Sequence, residues 1–334
     1  MISLSLIISI ITAFLVSLFL TPKLARYLKD IGLTGIDMQK PNKPEIPEMG
    51  GPAVIAGFLS GIFLFIWIKV FLYGKTTGLV EIFAGITTVL IIFLVGMLDD
   101  ISGIKKIKGK RKGLKQWQKP LLTLPASIPL IAIMAGNSSI SLPFIGNIDI
   151  GILYPLILVP IGVVGASNAI NMLAGLNGLE AGLGVVLTSA LGIFALINEN
   201  LFIAAFSLTF AGALLGFLIY NWYPAKIFPG DSLCYAIGAV VACVAILGNM
   251  EKFALLCFIP WFLELILKAR SKFKAQSFGK LRSDGTLQAP YEKCYSLTHC
   301  IMKLGKFKEK EIVIILISLE ILIIILAFNL VKII

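Results

Sequence analysis

Charge is what this sequence has least of. Asp, Glu, Lys and Arg make up 14% of 334 residues, against 58% hydrophobic residues and a mean hydropathy of +0.95. Soluble domains carry about 25% charged and about 45–50% apolar residues, so an ordinary water-soluble enzyme is excluded. Histidine occurs once, at His299, which rules out a histidine-rich zinc site. The five cysteines include no CxxC pair: Cys234, Cys243 and Cys257 fall in apolar runs, and Cys294 and Cys300 in a basic loop. Disulfides are not expected there. No basic residue precedes the first apolar run, whereas Lys23, Arg26 and Lys29 follow it. A cleaved signal peptide carries its charge in front, so this run is expected to stay as a helix with its N-terminus outside.

What fills the chain instead is long apolar runs, at about 2–20, 52–73, 80–98, 120–136, 151–169, 178–198, 201–220, 233–249, 252–268 and 312–331. Each is long enough to cross a bilayer as a helix. This predicts a single polytopic domain over 1–334, an all-α integral membrane protein with about ten transmembrane helices. Pro125, Pro129, Pro155 and Pro160 interrupt the fourth and fifth runs, as membrane helices tolerate. With ten crossings, the loops 21–51, 99–119, 170–177, 221–232 and 268–310 share one face. They hold 5, 8, 0, 1 and 11 of the 29 basic residues, or 25 together. Lys75, Lys252 and Lys332 fall on the other face, and Lys69 lies within the second run. The bias places the five loops in the cytoplasm. The net charge of +11 is thereby mostly a topology signal, with a surplus that could attract anionic lipid head groups. No nucleic-acid partner is needed to explain it.

The polar residues that remain gather at that face. Asn168 and Asn171, three apart on one helical face, precede Gly175, Gly178 and Glu180 at a boundary between two apolar runs. Asp99 and Asp100 end the third run, where two adjacent carboxylates meet the negative end of a helix dipole and repel each other. They need either a role as a polar stop or a cation; the basic stretch from Lys105 to Lys119 could supply one, or bind a phosphorylated ligand. Asp231, after Phe228-Pro229-Gly230, stands where a helix starts, so helix capping and metal ligation are equally open to it. The loop from Asp37 to Gly51 is extended and rich in proline, and its Asp37, Glu45 and Glu48 need a reason only if it folds over a site. The basic residues of 268–310, whose stretch 284–296 reads as turns or a short hairpin, are either a solvated, lipid-facing surface or a clamp for a diphosphate. Asn137-Ser138-Ser139, in a short external loop, matches a glycosylation acceptor pattern.

A transporter places such groups near the bilayer midplane, on broken helices, and an inverted internal repeat, which this sequence does not show, would favour that class. Here the carboxylates collect at one surface among lysines. That suits Mg²⁺ held by one or two carboxylates plus substrate phosphates, and phosphoryl transfer by positioning and charge neutralisation.

At these residues the chain resembles the polyprenyl-phosphate N-acetylhexosamine-1-phosphate transferases, in particular the dolichyl-phosphate N-acetylglucosaminephosphotransferase branch. The likeness is carried by Leu98-Asp99-Asp100, by Asn168 to Gly182, by Tyr220-Asn-Trp-Tyr-Pro224 and by Phe228-Pro-Gly-Asp231-Ser-Leu-Cys-Tyr235, and spans about Asp37 to His299. It implies a ten-helix fold with a cytoplasmic active site. It also implies transfer of N-acetylglucosamine-1-phosphate from UDP-N-acetylglucosamine to a polyprenyl or dolichyl phosphate, with release of UMP, at the first membrane step of N-glycan assembly. Asn171 and Asp231 match the family's Mg²⁺ ligands, Mn²⁺ being an alternative ion. Asp99 and Asp100 match its paired acids, Lys119 a basic residue at the diphosphate, Gly175, Asn177 and Phe228 the uracil pocket, and Met38 and Glu48 the nucleotide side of the first loop. The membrane would be the cell membrane in a prokaryote and the endoplasmic reticulum in a eukaryote, and a homodimer is an open expectation. A bacterial-type enzyme using undecaprenyl phosphate is the nearest alternative; Ala174-Gly175, where bacterial relatives tend to have Asp-Gly, argues against it. The chain departs from the family in lacking a His-x-His or Arg-His-Arg string in the last loop. Arg270, Lys272, Lys274 and Gln276 are the candidates to replace it. Gly103 stands where the family has a third polar residue after the Asp pair, and about ten extra residues, rich in lysine, precede Lys119.

Overall fold

Lipid offers backbone amides no partners, so an apolar run must close its hydrogen bonds within itself. The computed structural model, which describes residues 4–103, 106–107, 110–111, 113–136, 139–142 and 146–333, is accordingly helical along most of the described length of its apolar runs. In chain order the helices are α1 (Leu4–Asp30), α2 (Gly51–Trp67), α3 (Leu79–Ser102), α4 (Gln118–Thr123), α5 (Ile128–Ala132), α6 (Val159–Ile170), α7 (Leu179–Ile197), α8 (Leu201–Asn221), α9 (Gly230–Leu247), α10 (Glu251–Cys257), α11 (Ile259–Ala269), α12 (Leu297–Leu304) and α13 (Glu309–Ile333). Among the described residues, α1, α2 with its wider-wound continuation to Leu72, α3, α7, α8, α9 and α13 are long and apolar enough to cross a membrane, seven in all.

The other three runs are helical but broken, and proline is the reason in each. In the fourth, a tighter turn at Leu124–Ser127, containing Pro125, separates α4 from α5, which carries Pro129. In the fifth, a wide turn at Tyr154–Leu158 with Pro155 leads into α6, which opens on Val159-Pro160. The ninth splits at Phe258, two residues before Pro260, into α10 and α11. Proline removes an amide donor and crowds the residue before it.

The centre of the bundle is α9, 83% of whose apolar window is buried. Its residues are mostly small, and α2, α3, α6 and α7 pack around it. Gly238 rests directly on the Ala166 carbonyl of α6. Small residues let helix backbones approach where no hydrophobic drive separates helix from lipid. Helices α1, α2 and α8 form a second layer, in which the buried Ser9 hydroxyl donates to the Gly61 carbonyl and lies 2.6 Å from that of Thr209. Helix α13 closes the far side against α7 and α10.

The loops are built, not loose. Strands Thr34–Ile36 and Glu45–Pro47 pair antiparallel, and the chain after them runs beside 228–229, where Gly50 N donates to Phe228 O at 3.0 Å and Phe228 N to Pro47 O at 2.7 Å. In the last loop the hairpin falls at Lys280–Leu281 and Leu287–Gln288, slightly earlier than the 284–296 expected, because the turn residues Asp284-Gly285 sit at its tip. Asn137 and Ser138 of the glycosylation pattern, and Lys105, Lys108 and Lys112 of the basic stretch, lie outside the described residues.

Candidate active site

The site begins with a backbone contact. A Cβ on Gly96 of α3 would lie 2.6 Å from the Asp231 carbonyl oxygen and 2.6 Å from Ser232 Cα, so the C-terminus of α3 meets the N-terminus of α9 at a distance only glycine allows. One turn later come Asp99 and Asp100, and the meeting resolves the difficulty of two acids at the negative end of a helix. Asp100 turns away from its own helix and accepts from Asp231 N at 2.7 Å and Ser232 N at 3.1 Å. It thereby caps α9, whose first amides are unpaired and carry the positive end of the dipole. Gly230, at φ +70°, makes room, since a Cβ there would lie 2.6 Å from Asp100 Oδ2.

The capping reading of Asp231 is thereby replaced. It sits inside the first turn of α9, the amides are served by Asp100, and its own carboxylate points elsewhere. Lys119 Nζ lies 3.0 Å from Asp231 Oδ2 and 2.7 Å from Asp99 Oδ2. Asp99 Oδ1 accepts from Leu114 N at 2.7 Å, which draws the end of the basic stretch over the pair. Asn171, at the C-terminus of α6, donates its amide to Asp231 Oδ1. Tyr235, one turn along α9, presents its ring 5.8 Å from the ammonium. Burial alone would lower the Lys119 pKa, but Asp231, Tyr235 and Asp99 outweigh it and raise it, so the side chain is charged at any physiological pH. Four elements distant in sequence thus deliver three carboxylates, an amide and one ammonium to one end of the bundle. Asn168 does not join them; it donates to Val164 O and, at 3.4 Å, to Thr123 Oγ1, tying α6 to α4.

Beside this cluster the chain after α6 makes a tight turn. Gly175, at φ +107°, packs on the Phe278 ring, where a Cβ would come to 2.7 Å, and its amide donates to Glu180 Oε1 at 2.8 Å. Its carbonyl accepts from Gln39 Nε2 at 3.2 Å. Asn177 is 4% exposed and spends every polar atom of its side chain within the protein: Nδ2 on Asp37 and Glu309, Oδ1 on Ala225 N. The first loop therefore does fold over the site, with Asp37, Gln39 and Lys40 directed into it and Met38, between them, 46% exposed. Glu48 bridges to Phe228 in a short parallel pairing, and the half-buried Phe228 ring faces Gly35, which has no Cβ to block it.

The last loop reaches the same turn through Ser277, whose hydroxyl accepts a hydrogen bond from Lys268 Nζ at 2.7 Å and donates to Met172 O at 3.4 Å. Lys272 and Phe273 follow with φ of +53° and +59°. Consecutive left-handed residues without glycine are strained, a cost concentrated at functional sites. His299 is buried on α12 against the Tyr291 ring; burial, then Lys268, pulls its pKa from the ordinary 6.5 to about 4.

Among the described residues, no three His, Cys, Asp or Glu side chains form a ready-made metal cage. The donors still fit Mg²⁺, which binds through one or two carboxylates and keeps waters and phosphates for the rest of its octahedron. Asp231 supplies a carboxylate oxygen, and a half-turn of the Asn171 amide would bring its carbonyl oxygen to the same side.

Helix ends thus gather acids around Lys119 at one end of a bundle with membrane-length helices, and comparison with known proteins gives the class. The sequence pattern of glycosyl transferase family 4 matches residues 82–249, and the chain belongs to this family. It is 38% identical over 327 residues to a Sulfolobus acidocaldarius protein, covering 97% of this chain and 95% of that one. A Saccharolobus solfataricus protein is 40% identical over 319 residues, covering 95% and 94%. Both carry the name "Putative UDP-N-acetylglucosamine--dolichyl-phosphate N-acetylglucosaminephosphotransferase". The UDP-N-acetylglucosamine--dolichyl-phosphate N-acetylglucosaminephosphotransferase of Dictyostelium discoideum is 29% identical over 293 residues, 76% of this chain and 69% of its own.

Proposed function

We propose that this protein transfers N-acetylglucosamine-1-phosphate from UDP-N-acetylglucosamine to a dolichyl-type polyprenyl phosphate and releases UMP. The observation that carries the reading is the convergence of Asp99, Lys119, Asn171 and Asp231 at one end of the bundle. Family membership and relatives of that name along nearly the whole chain support it. In the reaction an oxygen of the lipid phosphate attacks the β-phosphorus of the donor. The bond from that phosphorus to the oxygen bridging to the α-phosphate breaks, and the bridging oxygen leaves with UMP.

This chain's residues divide the work. Asp99, fixed by Lys119 and the Leu114 amide, orients or deprotonates the acceptor phosphate. Lys119 exchanges a carboxylate for a diphosphate oxygen as charge builds on the leaving group. Asp100 holds Asp231 in register. Phe228 offers a face on which the base stacks, with Gly175 forming the opposite wall and Met38 and Glu48 at the rim. Asp231 and Asn171 would hold Mg²⁺, or Mn²⁺ in its place, whose charge would neutralise the diphosphate. With the broken fourth, fifth and ninth runs counted as crossings the helices would number ten, and the excess of lysine and arginine on the loops at this end favours a cytoplasmic site.

Label in the β-phosphate of UDP-N-acetylglucosamine tests the reaction. Purified protein with dolichyl phosphate should move that phosphorus into the lipid product and leave unlabelled UMP. Label left in UDP would mean transfer of the sugar alone and overturn the reading.

A further inference from the structure

A buried polar knot lies beside the catalytic cluster. Glu309, the first residue of α13, is 3% exposed. Its Oε1 accepts from both donors of Asn177, the backbone amide at 2.7 Å and Nδ2 at 2.6 Å. Its other oxygen pairs with Lys40, whose ammonium also lies 3.3 Å from Asp37 Oδ2 and 4.1 Å from the centre of the Tyr223 ring. Asp37 Oδ2 in turn takes Asn177 Nδ2 at 3.1 Å, and Asn177 Oδ1 takes the Ala225 amide at 2.7 Å. Four segments meet here: the first loop, the 175–177 turn, the chain before Phe228 and the last helix. The two on which the nucleotide reading depends, Gly175 and Phe228, lie two and three residues from knot members.

We propose that Glu309 is a positioning residue for the nucleotide: by gripping Asn177 at two points and neutralising Lys40, it holds the Gly175 wall and the Phe228 segment at the separation a uracil base needs. This rests on the reading of that turn as the base pocket. The geometry sets Glu309 apart from a simple staple. A helix-terminal acid that merely stabilises a dipole needs no partners of its own, whereas here one oxygen fixes a buried amide in a single orientation and the other a half-buried cation. No ligand reaches Glu309 itself, since both oxygens are already committed.

The test separates substrate affinity from turnover and from folding. Glu309→Ala should raise KM for the UDP-sugar about tenfold, leave kcat within about twofold, and leave KM for the polyprenyl phosphate unchanged. Glu309→Gln keeps an oxygen for Asn177 and should recover most of the lost affinity, even with Lys40 left to Asp37 alone as its carboxylate partner. UMP binding by calorimetry should follow the same order. An unchanged KM with a lowered melting temperature would make Glu309 a staple and overturn the proposal, as would an equal rise for both substrates. Phe228→Ala guards the underlying reading. If it weakens UMP binding while both Glu309 variants bind normally, the proposal fails and the pocket stands; if Phe228→Ala binds UMP normally too, the pocket reading itself fails.

Discussion

Replacing Lys119 by methionine keeps the apolar stem and removes the one ammonium that, among the described residues, pairs with Asp99 and Asp231. Its nitrogen lies 2.7 Å and 3.0 Å from two carboxylate oxygens. At an effective dielectric near 20, a pair about 3 Å apart is worth about 5–6 kcal/mol before desolvation is subtracted. Removing one partner of a fully buried pair costs about 3–5 kcal/mol. The side chains of Lys119 and Asp231 keep 15% and 24% of their exposure, so solvent takes up part of the loss. A cost of about 1–3 kcal/mol is therefore expected. The sign of the metal effect is more telling. Without the ammonium, the carboxylates attract a cation more strongly, so Mg²⁺ should raise the variant's melting temperature more than the wild type's, while turnover falls at least about a hundredfold. Thermal unfolding in detergent, with and without Mg²⁺, reads both. A variant as stable as wild type and indifferent to Mg²⁺ would refute the electrostatic account of the cluster.

Other expectations follow from the same contacts. Asp99→Asn should cut turnover by at least about a hundredfold with little change in stability, whereas Asp100→Asn, which loses an acceptor for one α9 amide, should also destabilise the fold by about 1–2 kcal/mol; melting curves beside turnover separate the two. Gly96→Ala should force α3 from α9, costing about 1–3 kcal/mol and lowering kcat, as a melting curve and assay would show. The pKa of His299 is depressed from 6.5 to about 4, so its contribution is complete above pH 6.5 and lost as the pH falls towards 4; His299→Gln should flatten that fall in a pH series of melting curves. With Cys294 and Cys300 replaced by serine, a cysteine at Ser283 should be labelled only from the cytoplasmic side and one at Thr76 only from outside; labelling of both from one side would remove the topology.

The apolar runs read correctly as helices because burial in lipid leaves one solution for the backbone. Proline content alone did not say whether α4–α5, the segment before α6 and α10–α11 would kink or break; neighbouring packing decides that. Asp99, Lys119, Asn171 and Asp231 stood out because polar groups at the ends of apolar runs are expensive unless they serve a purpose. The division of labour between Asp99 and Asp100 was not legible, since it depends on which helix N-terminus arrives beside them, and only Gly96 marks that approach. Asp37 was conditional on the loop folding over the site, which it does. Glu309 carried no signal: an acid in the first turn of a helix is ordinary, and its partner Asn177 is 132 residues away.

The central claim is that Asp231 and Asn171 form half a metal site which the donor's phosphates complete. Calorimetric titration of UDP-N-acetylglucosamine with and without Mg²⁺, in wild type and Asp231→Ala, tests it most directly. Binding partners that share a site must strengthen each other equally. Wild type should therefore bind Mg²⁺ weakly alone, and each ligand much more tightly with the other present, and Asp231→Ala should lose that coupling. Wild-type affinity that ignores Mg²⁺, or a variant that keeps the full coupling, would contradict the account.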